Sequence, residues 1–130
     1  MIAHVETADG LAIVDLEEET VLELDPVRAL EHSPSPALSL PRVIAAARVG
    51  ATVVAVVDTK PPMVVSHDGG RTWRESGRGL PAGRAVAIST DDPDVVLYAA
   101  RNRLYLSEDG GRFWRGLAVE LPEIRDIAWA

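Results

Sequence analysis

The chain is a series of short apolar runs separated by glycine, proline, aspartate and asparagine. Valine, leucine and tyrosine dominate these runs, and no long stretch has apolar residues at helical spacing between helix start and stop signals. Only VRALEH (27–32) offers one or two helical turns. The clearest runs are TVLEL (20–24), TVVAVVD (52–58), MVVS (63–66), DVVLYAA (94–100) and RLYLS (103–107). This pattern predicts an all-β fold of the sandwich, barrel or propeller type.

An eight-residue motif occurs twice, as SHDGGRTW at 66–73 and as SEDGGRFW at 107–114, with an offset of 41 residues. A Leu-Pro pair follows seven and eight residues after the tryptophan of each copy. Repeats of about 40 residues, each folded as a four-stranded antiparallel sheet, are typical of β-propeller blades. The repeat therefore favours a propeller over a sandwich or barrel and predicts complete blades at 41–76 and 81–117.

The two ends of the chain predict a third blade. Residues 1–25 contain three strands, and PEIRDIAWA (122–130) matches PAGRAVAIS, the first strand of the preceding blade, so the C-terminus is expected to supply the missing strand. DLEEETVL (15–22) is interpreted as a decayed copy of the motif, followed by a loop insertion at 26–40. The fold class predicted is all-β, with three four-stranded blades per chain: half of a propeller.

Three blades do not close a ring, because propellers typically have about four to eight. We therefore expect two chains to meet head to tail, the C-terminal strand of one completing the first blade of the other, as a six-bladed homodimer. Three chains joined head to tail in the same way would form a nine-bladed homotrimer. A fragment of a longer protein would carry the same three blades.

The repeated motif resembles the Asp-box, or BNR repeat, found in propellers of sialidases, xyloglucan-degrading glycosidases, sortilin-type receptors and photosystem II assembly factors. The first copy fits the Ser-x-Asp-x-Gly-x-Thr-Trp pattern completely, and the second has Phe113 in place of threonine. The glycines suit a hairpin turn with positive φ, the aspartates can accept turn N–H groups, and the tryptophans can bury apolar surface. We expect a structural role for these residues: Ser66, Asp68, Gly70, Thr72, Trp73, Ser107, Asp109, Gly111 and Trp114. Calcium binding is disfavoured, because the motif lacks alternating oxygen ligands and a closing glutamate.

The propeller fold also predicts where a ligand binds. Loops at the end opposite the motif turns surround the mouth of the channel, and here they comprise 26–39, 75–82, 116–121 and three short turns. The long insertion is equally compatible with an extended spacer. The candidate ligand-face residues are Glu31, His32, Lys60, Arg84, Arg101, Asn102, Arg103 and Arg125.

Two classes of function fit these residues. The first is a non-enzymatic binding or scaffold module that recognises a protein or glycan through its loop face and channel. The alternative is a sialidase-like glycoside hydrolase, for which the resemblance implies an arginine triad, with Arg42, Arg84 and Arg125 close to the first strands of the blades. No catalytic residue is assigned, since Tyr98 and Tyr105 are expected to pack within strands. No histidines fall at metal-ligand spacing, and we expect no metal or cofactor.

Composition and charge reduce the range of possible binding partners. The formal net charge of −7 and the pI near 4.9 disfavour nucleic acid and anionic membranes as partners, although a local basic patch remains compatible with them. The chain has no cysteine and therefore no disulfide. Its first residues lack the basic and apolar segments of a secretion signal, and no apolar run is long enough for a spanning helix. A cytoplasmic location is therefore the expectation.

Overall fold

The computed structural model describes residues 1–31 and 36–130, which form three four-stranded antiparallel sheets and contain no helix. Sheet I has the strand order β12-β1-β2-β3, sheet II the order β4-β5-β6-β7, and sheet III the order β8-β9-β10-β11. The strands are β1 (Ile2–Thr7), β2 (Gly10–Asp15), β3 (Thr20–Asp25), β4 (Val43–Val49), β5 (Thr52–Val57), β6 (Met63–Ser66), β7 (Arg74–Ser76), β8 (Ala85–Ile88), β9 (Val96–Ala99), β10 (Arg103–Ser107), β11 (Arg115–Glu120) and β12 (Ile124–Trp129).

Sheet III lies between the other two sheets, because its first strand, β8, contacts both β4 and β12. One hydrophobic core forms between sheets I and III, where Val5 and Val14 of sheet I pack with Leu97 and Leu104 of sheet III. A second core forms between sheets II and III, around Tyr98. Alternating side chains of a strand point to opposite faces. The middle sheet is therefore buried on both faces, whereas sheets I and II each pack one face against it.

The C-terminal strand completes the sheet of its own chain. β12 pairs with β1 in antiparallel register, with Val5 opposite Ile127 and Ala3 opposite Trp129. The backbone N–H of Ile124 donates to the carbonyl of Arg101 at 2.7 Å, which holds the start of β12 beside sheet III. The expectation that this strand is exchanged between two chains is therefore wrong. The short connection after β11 delivers β12 directly to β1, so the sheet needs no strand from elsewhere.

The two motif copies form equivalent hairpin turns, which we call turn 66–73 and turn 107–114. Turn 66–73 contains the eight residues between the paired Val65 and Arg74, whereas the hairpin between the paired Asp15 and Thr20 contains only four. Asp15 Oδ1 accepts the backbone N–H groups of Glu17 and Glu18. Glu17 instead pairs with the N-terminal amine of Met1 at 2.8 Å. The segment DLEEETVL therefore forms a shorter hairpin turn than the two motif copies.

Candidate binding surface

The sheets present two ends with different chemistry. The motif turns lie at one end, which we call the turn end. The connections between first and last strands of successive sheets lie at the other, the loop end, together with the short turns that follow β1, β5 and β9. Within the loop end, the N–H of Leu121 donates to the carbonyl of Asn102 at 3.0 Å. This contact joins the connection into sheet I to a turn of sheet III.

Each motif turn is closed by one serine and one aspartate. The Oγ of Ser66 accepts the N–H of Gly70 at 2.8 Å, and Asp68 Oδ1 accepts the N–H of Thr72 at 2.9 Å. The Thr72 hydroxyl donates to the other carboxylate oxygen at 2.6 Å. These hydrogen bonds, the one from the Thr72 side chain foremost, hold the pKa of Asp68 well below its usual range. Gly70 has φ 94°, a conformation that side chains with a Cβ rarely adopt.

Turn 107–114 has the same bonds without the threonine hydroxyl. Ser107 Oγ accepts the N–H of Gly111 at 2.9 Å, and Asp109 Oδ1 accepts the N–H of Phe113 at 3.0 Å. The backbone hydrogen bond from Phe113 is the main cause that lowers the pKa of Asp109. Phe113 is 80% exposed, so it contributes its backbone to the turn and little packing.

The motif turn of sheet III is also bonded to the last strand of sheet II. Trp114 Nε1 donates to Ser76 Oγ at 3.0 Å, and the Ser76 hydroxyl donates to the carbonyl of Gly111. Arg74 Nη2 donates to the carbonyl of Gly110 at 3.0 Å. These bonds fix the angle and register between two sheets. The motif therefore joins neighbouring sheets as well as closing a hairpin.

At the loop end, arginines from two sheets gather around one carboxylate. Arg84 Nη1 lies 3.0 Å from Glu123 Oε1, and Arg101 Nε lies 3.8 Å from Glu123 Oε2. The hydrogen bond and charge of Arg84 lower the pKa of Glu123, with smaller contributions from the charges of Arg101 and Arg125. We call these four residues the arginine rim. The charges of three guanidinium groups act on one carboxylate, so the rim carries net positive charge.

The rim is accessible to ligands. The side chains of Arg84 and Arg101 are 40% and 76% exposed, and that of Glu123 is 45% exposed. Ion pairs at such exposure contribute little to stability. Guanidinium groups present several N–H donors in a plane that matches carboxylate, sulfate and phosphate oxygens. The rim is therefore better suited to binding an anionic group than to holding the fold.

Two of the other predicted ligand-face residues lie beside the rim but have different roles. Arg103 turns inward: its Nη2 donates to the carbonyl of Leu117 at 2.9 Å, and its guanidinium lies 5.7 Å from the centre of the Tyr105 ring. It therefore stabilises β10 against β11. Asn102 is exposed, and its backbone carbonyl takes part in the turn.

The remaining candidates do not join the rim. Lys60 lines two shallow clefts of about 270 and 250 Å³ at the loop end of sheet II, together with Pro62 and Leu80. Glu31 is exposed in the segment after β3. His32 lies outside the described residues. The structure thus brings together Arg84, Arg101 and Arg125 and leaves Lys60 as a separate cation.

The tyrosines are packed and hydrogen-bonded. The Tyr98 hydroxyl donates to the carbonyl of Pro81 at 2.6 Å, and burial raises its pKa. Its ring packs edge-on against Trp114, with centroids 5.9 Å apart. A tyrosine with a raised pKa is a weak nucleophile, and a carboxylate with a lowered pKa, such as Glu123, is a poor general acid at neutral pH. These two groups are therefore poorly suited to act as a nucleophile and as a general acid at neutral pH.

Glu123 is the site residue that the sequence did not predict. Arg84 and Arg125 occupy the same place in the repeat, three residues after Pro81 and Pro122. That equivalence marks both arginines as loop-end residues. The carboxylate between them has no counterpart, because the preceding repeat has Ala82 at its position. Only the packing of sheet I beside sheet III shows that Glu123 meets an arginine of the neighbouring repeat.

A comparison with models of known protein families found no match for this chain, and a search of curated proteins found no similar sequence. Among residues 1–31 and 36–130, no three histidine, aspartate or glutamate side chains are grouped closely enough to hold a metal ion. The same residues include no helix with the length and apolar character needed to cross a membrane.

Proposed function

We propose that this protein is a non-enzymatic binding module of the β-propeller class, in which a second copy completes a six-bladed ring and the loop end recognises anionic groups on a protein or glycan. The arginine rim carries this proposal. It joins Arg84 and Arg101 of one sheet to Glu123 and Arg125 of the next. Loops held by a rigid sheet scaffold commonly carry binding residues.

The net negative charge of the whole chain limits which anions can bind at the rim. A formal charge of −7 repels large anions such as nucleic acid at long range. Within about 8–10 Å, the Debye length at ordinary salt, the rim charges dominate instead. A small carboxylate or sulfate on a protein or glycan surface can therefore bind where an extended polyanion does not.

Binding to anionic probes tests this function. We would immobilise a heparin-derived oligosaccharide and, separately, a polyaspartate peptide, and measure binding of the wild type and of an Arg84→Ser/Arg101→Ser variant. The expected result is at least a tenfold loss of affinity in that variant for whichever probe the wild type binds. Its matched control is Arg71→Ser/Arg112→Ser, which removes the same charge from exposed positions of the turn end. Equal losses in the two variants would contradict a binding site at the rim.

A glycoside hydrolase is the alternative function, supported by the exposed arginines alone. Turnover of a nitrophenyl glycoside that disappears in a folded Arg84→Ser or Arg125→Ser variant would favour the enzyme. Binding of a probe without turnover supports the binding module. Absence of both would leave a scaffold without a specific ligand and would overturn the proposed function.

A further inference from the structure

A groove runs across the loop end of sheet II and is built from residues that the arginine rim does not use. It consists of two clefts, of about 270 and 250 Å³, whose linings share Lys60, Pro62 and Leu80. Each cleft is slightly smaller than the range of about 300–1,000 Å³ that is usual for small-molecule sites. Each is therefore of a size for one large side chain. We call this pair of clefts the loop groove, and its main residues are Ile44, Val57, Lys60, Pro62, Arg78 and Leu80.

The two turns that form the loop groove are fixed by backbone hydrogen bonds. In the turn between β5 and β6, the N–H of Val57 donates to the carbonyl of Pro62 at 2.8 Å. In the connection between β7 and β8, the N–H of Leu80 donates to the carbonyl of Gly77 at 2.9 Å. Pro62 and Leu80 meet over Gly77, where an added Cβ would lie 3.5 Å from Pro62 Cγ and 3.4 Å from Leu80 Cδ1. Binding therefore requires little ordering of these turns, which favours affinity.

The lining of the loop groove leaves apolar surface in contact with solvent. Ile44 is 49% exposed, whereas Val57, in the same cleft, is 9% exposed. Leu80 is half-buried and packs against the core between sheets II and III, and Pro62 beside it is buried. An apolar side chain that displaced water from these clefts would gain free energy in proportion to the apolar area covered. Each cleft is thus suited to an apolar side chain.

Two cations lie beside this apolar lining, one from each turn. Lys60 and Arg78 are both exposed and line the same cleft. Among residues 1–31 and 36–130, neither side chain has a hydrogen-bond or ion-pair partner, whereas Arg84 of the rim is paired with Glu123. Asp58 is the one carboxylate among the described residues that line the two clefts. This part of the groove therefore carries net positive charge, which suits carboxylates next to an apolar group.

We infer that the loop groove binds an extended, acidic segment of a partner protein. Two apolar side chains of the segment enter the two clefts, and neighbouring aspartate or glutamate carboxylates pair with Lys60 and Arg78. Side chains at positions i and i+2 of an extended chain point to the same side, so one short segment can fill both clefts. Two clefts of side-chain size do not suit the single long tail of a fatty acid, and sugars lack apolar branches. This site is additional to the arginine rim and does not depend on it.

Two-dimensional NMR of the isotope-labelled protein, titrated with the capped peptide acetyl-Asp-Asp-Leu-Ser-Leu-Asp-Asp-amide, tests this inference. Saturable shifts are expected for the backbone amides of Lys60, Arg78 and Leu80. Replacing both leucines of the peptide by serine is expected to weaken binding at least about tenfold, because the clefts then receive no apolar side chain. Replacing its aspartates by asparagine is expected to weaken binding at least about threefold, because exposed ion pairs are lost.

The variant Lys60→Gln/Arg78→Gln tests the same charges from the side of the protein. It is expected to bind the acidic peptide about threefold more weakly than the wild type does, and to bind the asparagine peptide equally well. The matched control is Arg71→Gln/Arg112→Gln, which removes the same charge from exposed positions of the turn end. That control should change the affinity for the acidic peptide less.

Three results would overturn the inference: a wild type that does not saturate with the acidic peptide, shifts confined to the arginine rim or the turn end, or equal losses in the two charge variants. The variant Arg84→Ser/Arg101→Ser separates the loop groove from the proposed function. It should still prefer the leucine peptide to the serine peptide, and loss of that preference would also overturn the second site. Heparin and polyaspartate probes carry no apolar side chains, so their failure to bind would overturn the rim and leave the loop groove unaffected.

Discussion

Removing the Ser76 hydroxyl is expected to loosen the junction between sheets II and III. Ser76 is 5% exposed, accepts the indole N–H of Trp114 and donates to the carbonyl of Gly111. A buried hydrogen bond contributes a net ~0.5–1.5 kcal/mol, so the two bonds give a loss of about 1–3 kcal/mol in Ser76→Ala. This is a sizeable part of a total stability of about 5–15 kcal/mol.

Urea unfolding followed by far-UV circular dichroism, at one protein concentration, measures this loss. With a slope of about 2 kcal/mol/M, a loss of about 2 kcal/mol lowers the unfolding midpoint by about 1 M. Ser39→Ala, at an exposed position, is the control and should change the midpoint little. A cycle with Trp114→Phe should give a coupling energy of about 1 kcal/mol. A Ser76→Ala midpoint equal to that of the wild type, or a coupling energy of zero, would refute the junction.

Three further substitutions probe the turns and the packing. Asp68→Asn should lower stability at pH 7 and reduce its acid dependence: hydrogen bonds hold the pKa of Asp68 below its usual range, so the carboxylate's contribution is complete above about pH 4 and is lost as pH falls through the folded pKa. Thermal melts at pH 7 and pH 3 should therefore differ less in this variant, and an unchanged difference would contradict the assignment. Gly83→Ala would place a Cβ 2.3 Å from the Tyr98 ring, so melts should show a loss of about 1–3 kcal/mol, and a neutral effect would mean that the ring is free to shift. Glu19→Gln keeps an acceptor for the β11 backbone and should melt above Glu19→Ala, whereas equal melting would exclude a role for that hydrogen bond.

Local patterns predicted the strands because strand and turn signals lie within a few residues of each other. The apolar runs became β5, β6, β9 and β10, and the motif copies became matching turns. The last strand of sheet II is the exception. β7 contains only Arg74–Ser76, because Thr72 bonds to Asp68 and Trp73 belongs to the turn. Side-chain bonding within the turn ended the strand earlier than its composition suggested.

Pairing across long distances could not be derived from patterns alone. The match between 122–130 and the preceding repeat predicted that the C-terminus supplies a strand, yet it did not indicate whose sheet receives it. Backbone ladders form equally well within a chain and between chains. The choice was made by the connection after β11 and by the hydrogen bond of Ile124 to Arg101, both of which depend on the packed neighbour.

In the candidate site, too, the local pattern predicted some features and long-range packing determined the others. The positions of Arg84 and Arg125 followed from the repeat, while Arg103 was predicted to face ligand and instead bonds to Leu117. Arginine can serve either purpose, since its guanidinium binds backbone carbonyls as readily as anionic ligands. Which partner an arginine binds depends on the acceptor that the neighbouring strand presents, and for Arg103 this acceptor is the Leu117 carbonyl of β11. A pattern of residue types along one strand contains no information on that acceptor.

The two junctions between sheets use different chemistry at equivalent places. One junction pairs Trp114 with Ser76, and the other pairs Glu19 with the β11 backbone. Packing the sheets in another order would leave the indole N–H of Trp114 or the carboxylate of Glu19 without its partner, which costs free energy at a contact between sheets. Unequal junctions therefore favour one order of sheets, where identical repeats would allow several.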